Sequence, residues 1–454
     1  MPRSPPAMSP RRASCLLAVS ILALPCAARA AGGAVEPFGI PLEFFLFALT
    51  LLGVALFHNR TFEVALTGVA VIALYKIVGP GFKAGEGVGG FVSHMGHEWV
   101  ILTNLLCLLL GFALLSRHFE ESQVPKVLPK HLPDDWKGAF VLLLMVFVLS
   151  SFLDNIAAAL IGGAMAHTVF RGKVHIGYLA GIVAASNAGG AGSVVGDTTT
   201  TMMWIDGVSP LAVLDAYVAA SVAVVVCGIP ASIQQHKYSP IMRDAPVGTQ
   251  IDVARLLIVV FILAVAIIVN VVVNTQFNAI SDLFPFIGVA VVVAVLVSAP
   301  VRRPEWSLLP GALKGTIFLL ALVTCASMMP VERLPAASWQ SAMSLGFISA
   351  VFDNIPLTAL ALKQDGYDWG MLAYCVGFGG SMIWFGSSAG VALSNMYPEA
   401  KSVGRWLVSG WHVTLAYVVG FAVMLAVTGW HPSPKKGSPV PVPAKTMLSL
   451  PAAA

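Results

Sequence analysis

Stretches of about twenty apolar residues, divided by short polar connections, recur along most of this chain. A run of that length is what a helix needs to cross a hydrocarbon core of about 30 Å. Nothing else in the sequence narrows the fold so much. The 454 residues are 57% hydrophobic and 11% charged, with a mean hydropathy of +0.84. Soluble domains carry about 25% charged residues, so this chain has too little polar surface to cover a globule in water. It reads as an all-α polytopic membrane protein whose first partner is the lipid bilayer. The net charge of +4 says little about ligands, because lysine and arginine follow topology in such proteins, and nucleic acid is excluded as a partner. Of the six cysteines, Cys15 and Cys26 lie in the N-terminal leader. Cys107, Cys227, Cys325 and Cys375 are scattered through apolar segments without metal-ligand spacing and read as small buried hydrophobes.

The ends read differently from the middle. Residues 1–30 carry Arg11 and Arg12, an apolar run to about Ala27 and the pattern Ala28-Arg29-Ala30, which together describe a signal peptide; an uncleaved anchor is the rival reading. Residues 431–454, rich in Pro, Lys and Ser, read as a disordered tail. Between them, apolar segments fall at about 39–57, 61–79, 98–116, 137–168, 176–205 and 210–233. A second series falls at about 253–274, 280–300, 307–329, 339–362, 369–396 and 403–428. Membrane repeat 1 is thus assigned to 31–235, a cytoplasmic linker to 236–252 and membrane repeat 2 to 253–430.

Two motifs support the repeat directly. The fourth segments contain "SSFLDNI" (Ser150–Ile156) and "SAVFDNI" (Ser349–Ile355). The fifth contain "NAGGAGSVVGDTTT" and "GFGGSMIWFGSSAG", which align without gaps and place Gly189-Gly190 on Gly379-Gly380, Gly196 on Gly386 and Asp197 on Ser387. Two motifs in the same order and the same segments are poorly explained by chance. Charge placement orients the halves. If each fourth segment is a re-entrant hairpin, each half crosses five times and the second half is inverted. The inner side then holds fourteen basic residues: Arg60, Arg117, Lys126, Lys130, Lys137, Arg171, Lys173, Lys237, Arg243, Arg255, Arg302, Arg303, Lys401 and Arg405. Apart from the tail, the outer side holds Lys83, Arg333 and Lys363. That asymmetry obeys the positive-inside rule. If the fourth segments crossed fully, the Arg171/Lys173 loop would move outside. The expected architecture is therefore two inverted repeats, about ten crossings and two opposed re-entrant hairpins. Broken helices sit at the midplane, and the N-terminus lies outside an inner (cell) membrane.

The breaks are where chemistry is expected. Asp154-Asn155 and Asp353-Asn354 are poor helix formers at mid-segment, Pro356 removes a donor, and the glycine pairs are expected to break the fifth segments. Irregular backbone at membrane depth survives only when buried in protein or facing a water-filled cavity. Paired breaks in matching places are the sequence pointer to a transporter site. Asp154, Asp197 and Asp353 are the leading Na⁺ candidates, because a carboxylate in the bilayer is costly and by default functional. Each could instead be an ordinary helix N-cap. Asn155, Asn187 and Asn354, the hydroxyls of Thr198, Thr199, Ser387 and Ser388, and carbonyls freed around Gly189, Gly190, Gly379 and Gly380 complete an all-oxygen shell suited to a hard cation. The same helix N-termini could hold an organic anion, but no lysine or arginine lies within the motifs. Weaker features are His94, His97 and Glu98, where an outer loop entering a helix outweighs metal binding, and Lys76, expected to snorkel. For Lys314 an ion pair with a site acid is weighed, while Asp215, Asp282 and Glu43 read as interfacial. No constellation supports an enzyme, and no resident cofactor is indicated.

These motifs, "SSFLDNI", "SNAGGAGSVVGDTTTTMMWI", "SAVFDNIPL" and "GFGGSMIWFGSSAGVA", resemble the NhaD-type sodium/proton antiporters. That family sits in an ion transporter superfamily that also holds arsenite and citrate or dicarboxylate carriers. The resemblance covers about residues 39–428. It implies an inverted-repeat fold with two opposed hairpins, homodimers and an elevator-like shift. It places Asp154, Asn155, Asn187, Asp197, Thr198, Asp353 and Asn354 at the ion site. The expected function is secondary antiport of Na⁺ (or Li⁺) against H⁺. The alternative is a Na⁺- or H⁺-coupled carrier of citrate or another organic anion, and the third class is a membrane scaffold or sensor with no flux.

Overall fold

The computed structural model describes residues 36–57, 60–127, 132–241, 250–277, 280 and 283–433. The signal peptide, linker residues 242–249, Asp282 and all but the first residues of the tail lie outside the described residues. Within them the protein is helical, with no strand. In chain order the first repeat contributes α1 (Leu42–Leu56), α2 (Thr61–Val78), α3 (Gly87–Glu121), α4 (Trp136–Ser150), α5 (Asn155–Val169), α6 (Ile176–Ala191), α7 (Thr198–Ile205) and α8 (Ala216–Tyr238). The second contributes α9 (Val253–Gln276), α10 (Phe286–Ser298), α11 (Leu309–Ser327), α12 (Trp339–Ser349), α13 (Asn354–Gln364), α14 (Trp369–Gly379), α15 (Ser388–Met396), α16 (Val403–Ser409) and α17 (Trp411–Thr428). Short single turns connect several of them.

Six helical stretches among the described residues are long and apolar enough to cross a bilayer: Thr61–Val78, Gly87–Glu121, Pro210–Tyr238, Val253–Val273, Trp306–Ser327 and Trp411–Thr428. Helices satisfy every backbone group within the segment, which lets such sequences sit in hydrocarbon. Four of the shorter helices are short because the sequence interrupts them. α4 stops at Ser150 and α5 begins at Asn155, while α12 stops at Ser349 and α13 begins at Asn354. Each restart is capped by an aspartate whose carboxylate accepts the N–H two residues on: Ile156 for Asp154 and Ile355 for Asp353. The cap backbones are nearly superimposable, at φ −52°, ψ 140° and φ −52°, ψ 142°.

The second break is repeated with equal fidelity. Asp197 caps α7 at φ −142°, ψ 142°, and Ser387 caps α15 at φ −141°, ψ 152°. Ser150 donates to the Ser186 carbonyl at 2.5 Å, and its counterpart Ser349 donates to the Val376 carbonyl at 2.7 Å. The two motifs that recur in the sequence thus carry matching cap angles and matching hydrogen bonds. One expectation is corrected: Gly189 and Gly190 do not break the helix, which runs through both to Ala191. They are glycines because of close approach. A side chain at Gly189 would collide with the Phe147 carbonyl, and one at Gly379 with the Gly346 carbonyl. The break itself is Gly192–Asp197.

The helices sort into two groups. α1–α3 pack with α9–α11 into a panel, and α4–α8 pack with α12–α15 and α17 into a core. The panel meets the core mainly where α11 lies on α13 and where α3 lies on α5 and α7. An ion pair crosses the boundary: Lys363 Nζ on α13 donates to Glu98 Oε1 on α3 at 2.6 Å, with the Glu98 side chain 8% exposed. At one end of the panel Arg117, Glu121, Arg255, Asp252, Arg302 and Glu305 form a charge network joining α3, α9 and the segment before α11.

Candidate functional site

The four breaks meet inside the core. Asp197 is 2% exposed. Its Oδ1 accepts the Thr199 N–H at 3.1 Å and its Oδ2 accepts Asn354 Nδ2 at 3.3 Å, so an acid from the first repeat is held by an amide from the second. The reciprocal contact runs from Asn187, fully buried, whose Nδ2 donates to Ser381 Oγ at 2.9 Å and Ser387 Oγ at 3.1 Å. Asn155 Nδ2 donates to Asn187 Oδ1 at 3.0 Å. Asp353 accepts from Ser388 Oγ at 2.9 Å. No lysine, arginine or histidine pairs with Asp154, Asp197 or Asp353 among the described residues. A small cavity is lined by Asp154, Asp197, Thr198, Val195 and Thr201 of the core and by Leu105, Leu108, Leu109 and Phe112 of α3. Two of the three aspartates therefore face one space between panel and core, and Asp353 is not among its lining residues.

The run of four threonines has a divided role. Thr198 lines the cavity. Thr199 supplies the capped N–H, and its hydroxyl is buried. Thr200 donates to the Ser193 carbonyl at 2.5 Å and Thr201 to the Val194 carbonyl at 2.9 Å. The Gly189 carbonyl accepts Ser151 Oγ and Tyr217 OH, both at 3.2 Å. The carbonyls freed at this break, expected as ion ligands, are thus largely taken up by hydroxyls. Gly190 and Gly380 are packed against the backbone of their own breaks: a Cβ on either would lie 2.7 Å from the carbonyl oxygen of Gly196 or Gly386.

Other expectations are corrected. Lys314 is exposed and lies over the Phe62 ring at 5.6 Å, and it makes no ion pair with a site acid among the described residues. Lys76 does not reach outward. It is 8% exposed, donates to the Met328 carbonyl at 2.9 Å and lies over the Phe82 ring. That carbonyl ends α11, where the helix dipole favours a cation. Of the acids expected at the interface, Glu43 is 3% exposed to solvent and Asp215 is exposed. His94 bonds Ser327 Oγ and Glu98 binds Lys363, and no group of three metal-ligating side chains is present among the described residues. Ser381, Gly377 and the α3 leucines were missed from sequence. Ser381 aligns with Ala191, so comparing the repeats position by position would have exposed it. The leucines carry no signal that separates them from their apolar neighbours.

The helices and the buried polar breaks describe a multi-pass helical membrane protein. No family model matches the chain. It is 27% identical over 341 residues to sodium/proton antiporter 1 of Arabidopsis thaliana, covering 65% of this chain and 56% of that protein. It is 25% identical over 295 residues to sodium/proton antiporter 2 of Arabidopsis thaliana (55% of this chain, 67% of that protein). It is also 25% identical over 310 residues to the Na(+)/H(+) antiporter NhaD of Vibrio parahaemolyticus (55% and 71%). The chain thus spans little more than half the length of the first of these relatives. All three relatives are named as sodium/proton antiporters, the activity of the family that the sequence motifs resemble.

Proposed function

We propose that this protein is a secondary antiporter exchanging Na⁺ (or Li⁺) for H⁺, with Asp154, Asp197 and Asp353 binding cation and proton by turns. The observation that carries the reading is Asp197. It is a buried carboxylate held by an amide and a helix N-terminus, without a basic partner among the described residues, beside a cavity it shares with Asp154. A bare charge so placed is costly. A proton or a small cation removes that cost, and each excludes the other, which is what couples their movements. The three relatives are named as sodium/proton antiporters, which supports the same substrate pair. The absence of a basic side chain at the three acids, among the described residues, speaks against an organic anion.

The same reading includes ten crossings, two opposed hairpins formed by α4–α5 and α12–α13, an inner-membrane location with the N-terminus outside, and a homodimer. The charge asymmetry of the loops supports the topology. The deciding experiment is flux in proteoliposomes with Na⁺, Li⁺, K⁺ and citrate in turn. Na⁺- and Li⁺-driven proton movement that disappears in Asp154→Asn and Asp197→Asn is expected. Citrate uptake without cation/proton exchange would overturn the proposal.

A further inference from the structure

The two repeats face each other across the site in quasi-equivalent trios, and one trio is missing a side chain. In the alignment of the fifth segments Asn187 falls on Gly377, Ala191 on Ser381 and Asp197 on Ser387. Asn187 reaches into the second repeat and donates to Ser381 and Ser387. Gly377 faces the corresponding pair of the first repeat. A Cβ built there would lie 3.3 Å from Asp197 Oδ2 and 3.6 Å from Ala191 Cβ. Position 377 therefore looks at 191 and 197 as position 187 looks at 381 and 387. The neutral trio is closed by an amide, whereas the acidic trio has glycine where that amide would be.

The consequence concerns the carboxylate. An asparagine at 377, placed as Asn187 is, would donate to Asp197 as Asn187 donates to Ser387. Oδ2 already carries one long bond from Asn354 at 3.3 Å. A second fixed amide donor would occupy the oxygen that a cation or proton must reach. We propose that Gly377 is a specificity-determining residue of this site: by withholding a side chain it keeps Asp197 open to ions, and the acid and the glycine form one device. Helix packing alone does not account for this placement, because the nearest atom to the absent Cβ is the carboxylate itself. The inference rests on the antiport reading above and extends it to a residue without a functional group.

The test uses the full-length protein, with Na⁺ and Li⁺ titrated both by thermal stabilisation of the purified chain and by exchange in proteoliposomes. Gly377→Asn should weaken the apparent affinity for both ions by about 10- to 100-fold, the worth of one hydrogen bond to a charged group. Gly377→Ser, a smaller donor at the same contact, should weaken it in the same sense and covers the case in which the asparagine chain fails to fold. Gly377→Ala adds bulk without a donor and should cost distinctly less than either. Wild-type affinity in both donor variants, or a loss no greater than that of Gly377→Ala, would overturn the proposal. Wild type that is stabilised by Na⁺ yet exchanges nothing would sink the antiport reading while leaving the Gly377 comparison readable. Wild type that neither binds nor exchanges would remove both.

Discussion

Asp197 can be tested so that its two roles separate. As an N-cap it holds the Thr199 N–H, and as an acid it holds charge. Asparagine caps as well as aspartate does, and an amide at 197 can still pair with Asn354 after a flip of that side chain. Asp197→Asn should therefore change stability by no more than about 1 kcal/mol. Asp197→Ala loses the cap, about 1 kcal/mol, and leaves the buried Asn354 amide short of an acceptor, about 1–3 kcal/mol. Together these give a loss of about 2–4 kcal/mol. Exchange should rank the variants differently. An amide binds no proton and neutralises no cation, and a buried cation without its counter-charge costs at least about 3 kcal/mol, or about a hundredfold in affinity. Both variants should thus be silent in Na⁺-dependent dequenching of a pH dye in inverted vesicles, while only the alanine variant melts early in detergent. Exchange within twofold of wild type in Asp197→Asn would show that the residue is a cap and nothing more.

Gly196→Ala and Gly386→Ala should each cost about 1–3 kcal/mol, read as lost thermal stability. Their new methyl groups would press on the Ser150 and Ala350 carbonyls at the tips of the first breaks. Replacing one partner of the Glu98–Lys363 pair should destabilise by about 2 kcal/mol, below the usual figure for a buried pair because Lys363 is partly exposed. Glu98→Gln should also speed hydrogen exchange over residues 354–364, and the charge swap should restore much of both. At the panel's edge, the Arg302 hydrogen bond holds the Asp252 carboxyl below the ordinary carboxylate range. Its contribution is present above the ordinary carboxylate value, about 4, and is lost as pH falls through the depressed one. Acid melting curves of Asp252→Asn should lack that step.

The site was legible wherever chemistry recurs in the chain. Asp154, Asp197 and Asp353 stood out because acids are rare in apolar segments, and the structure places all three as caps at helix breaks. It was illegible where a contact depends on which segments meet. Nothing in the order of residues says that Asn354 reaches Asp197, a separation of 157 positions, or that Leu105 and Phe112 wall the same cavity. Gly189 and Gly190 show the limit from the other side. Their propensity suggests a break, yet tertiary packing keeps them helical, since only glycine lets the Phe147 and Gly196 carbonyls approach so closely.

The sequence by itself determined the solvent, the repeat and the acids. Apolar run length answers to bilayer thickness, a repeated motif answers to a repeated backbone, and an intramembrane carboxylate is too costly to be incidental. Only the tertiary structure decided how the halves complement each other. Asn187 closes one trio, Gly377 leaves the other open around Asp197, and Thr200 and Thr201 take up the carbonyls that the break set free. The physical reason is that hydrogen-bond and steric complementarity belong to surfaces, and a surface exists only once distant segments have packed together.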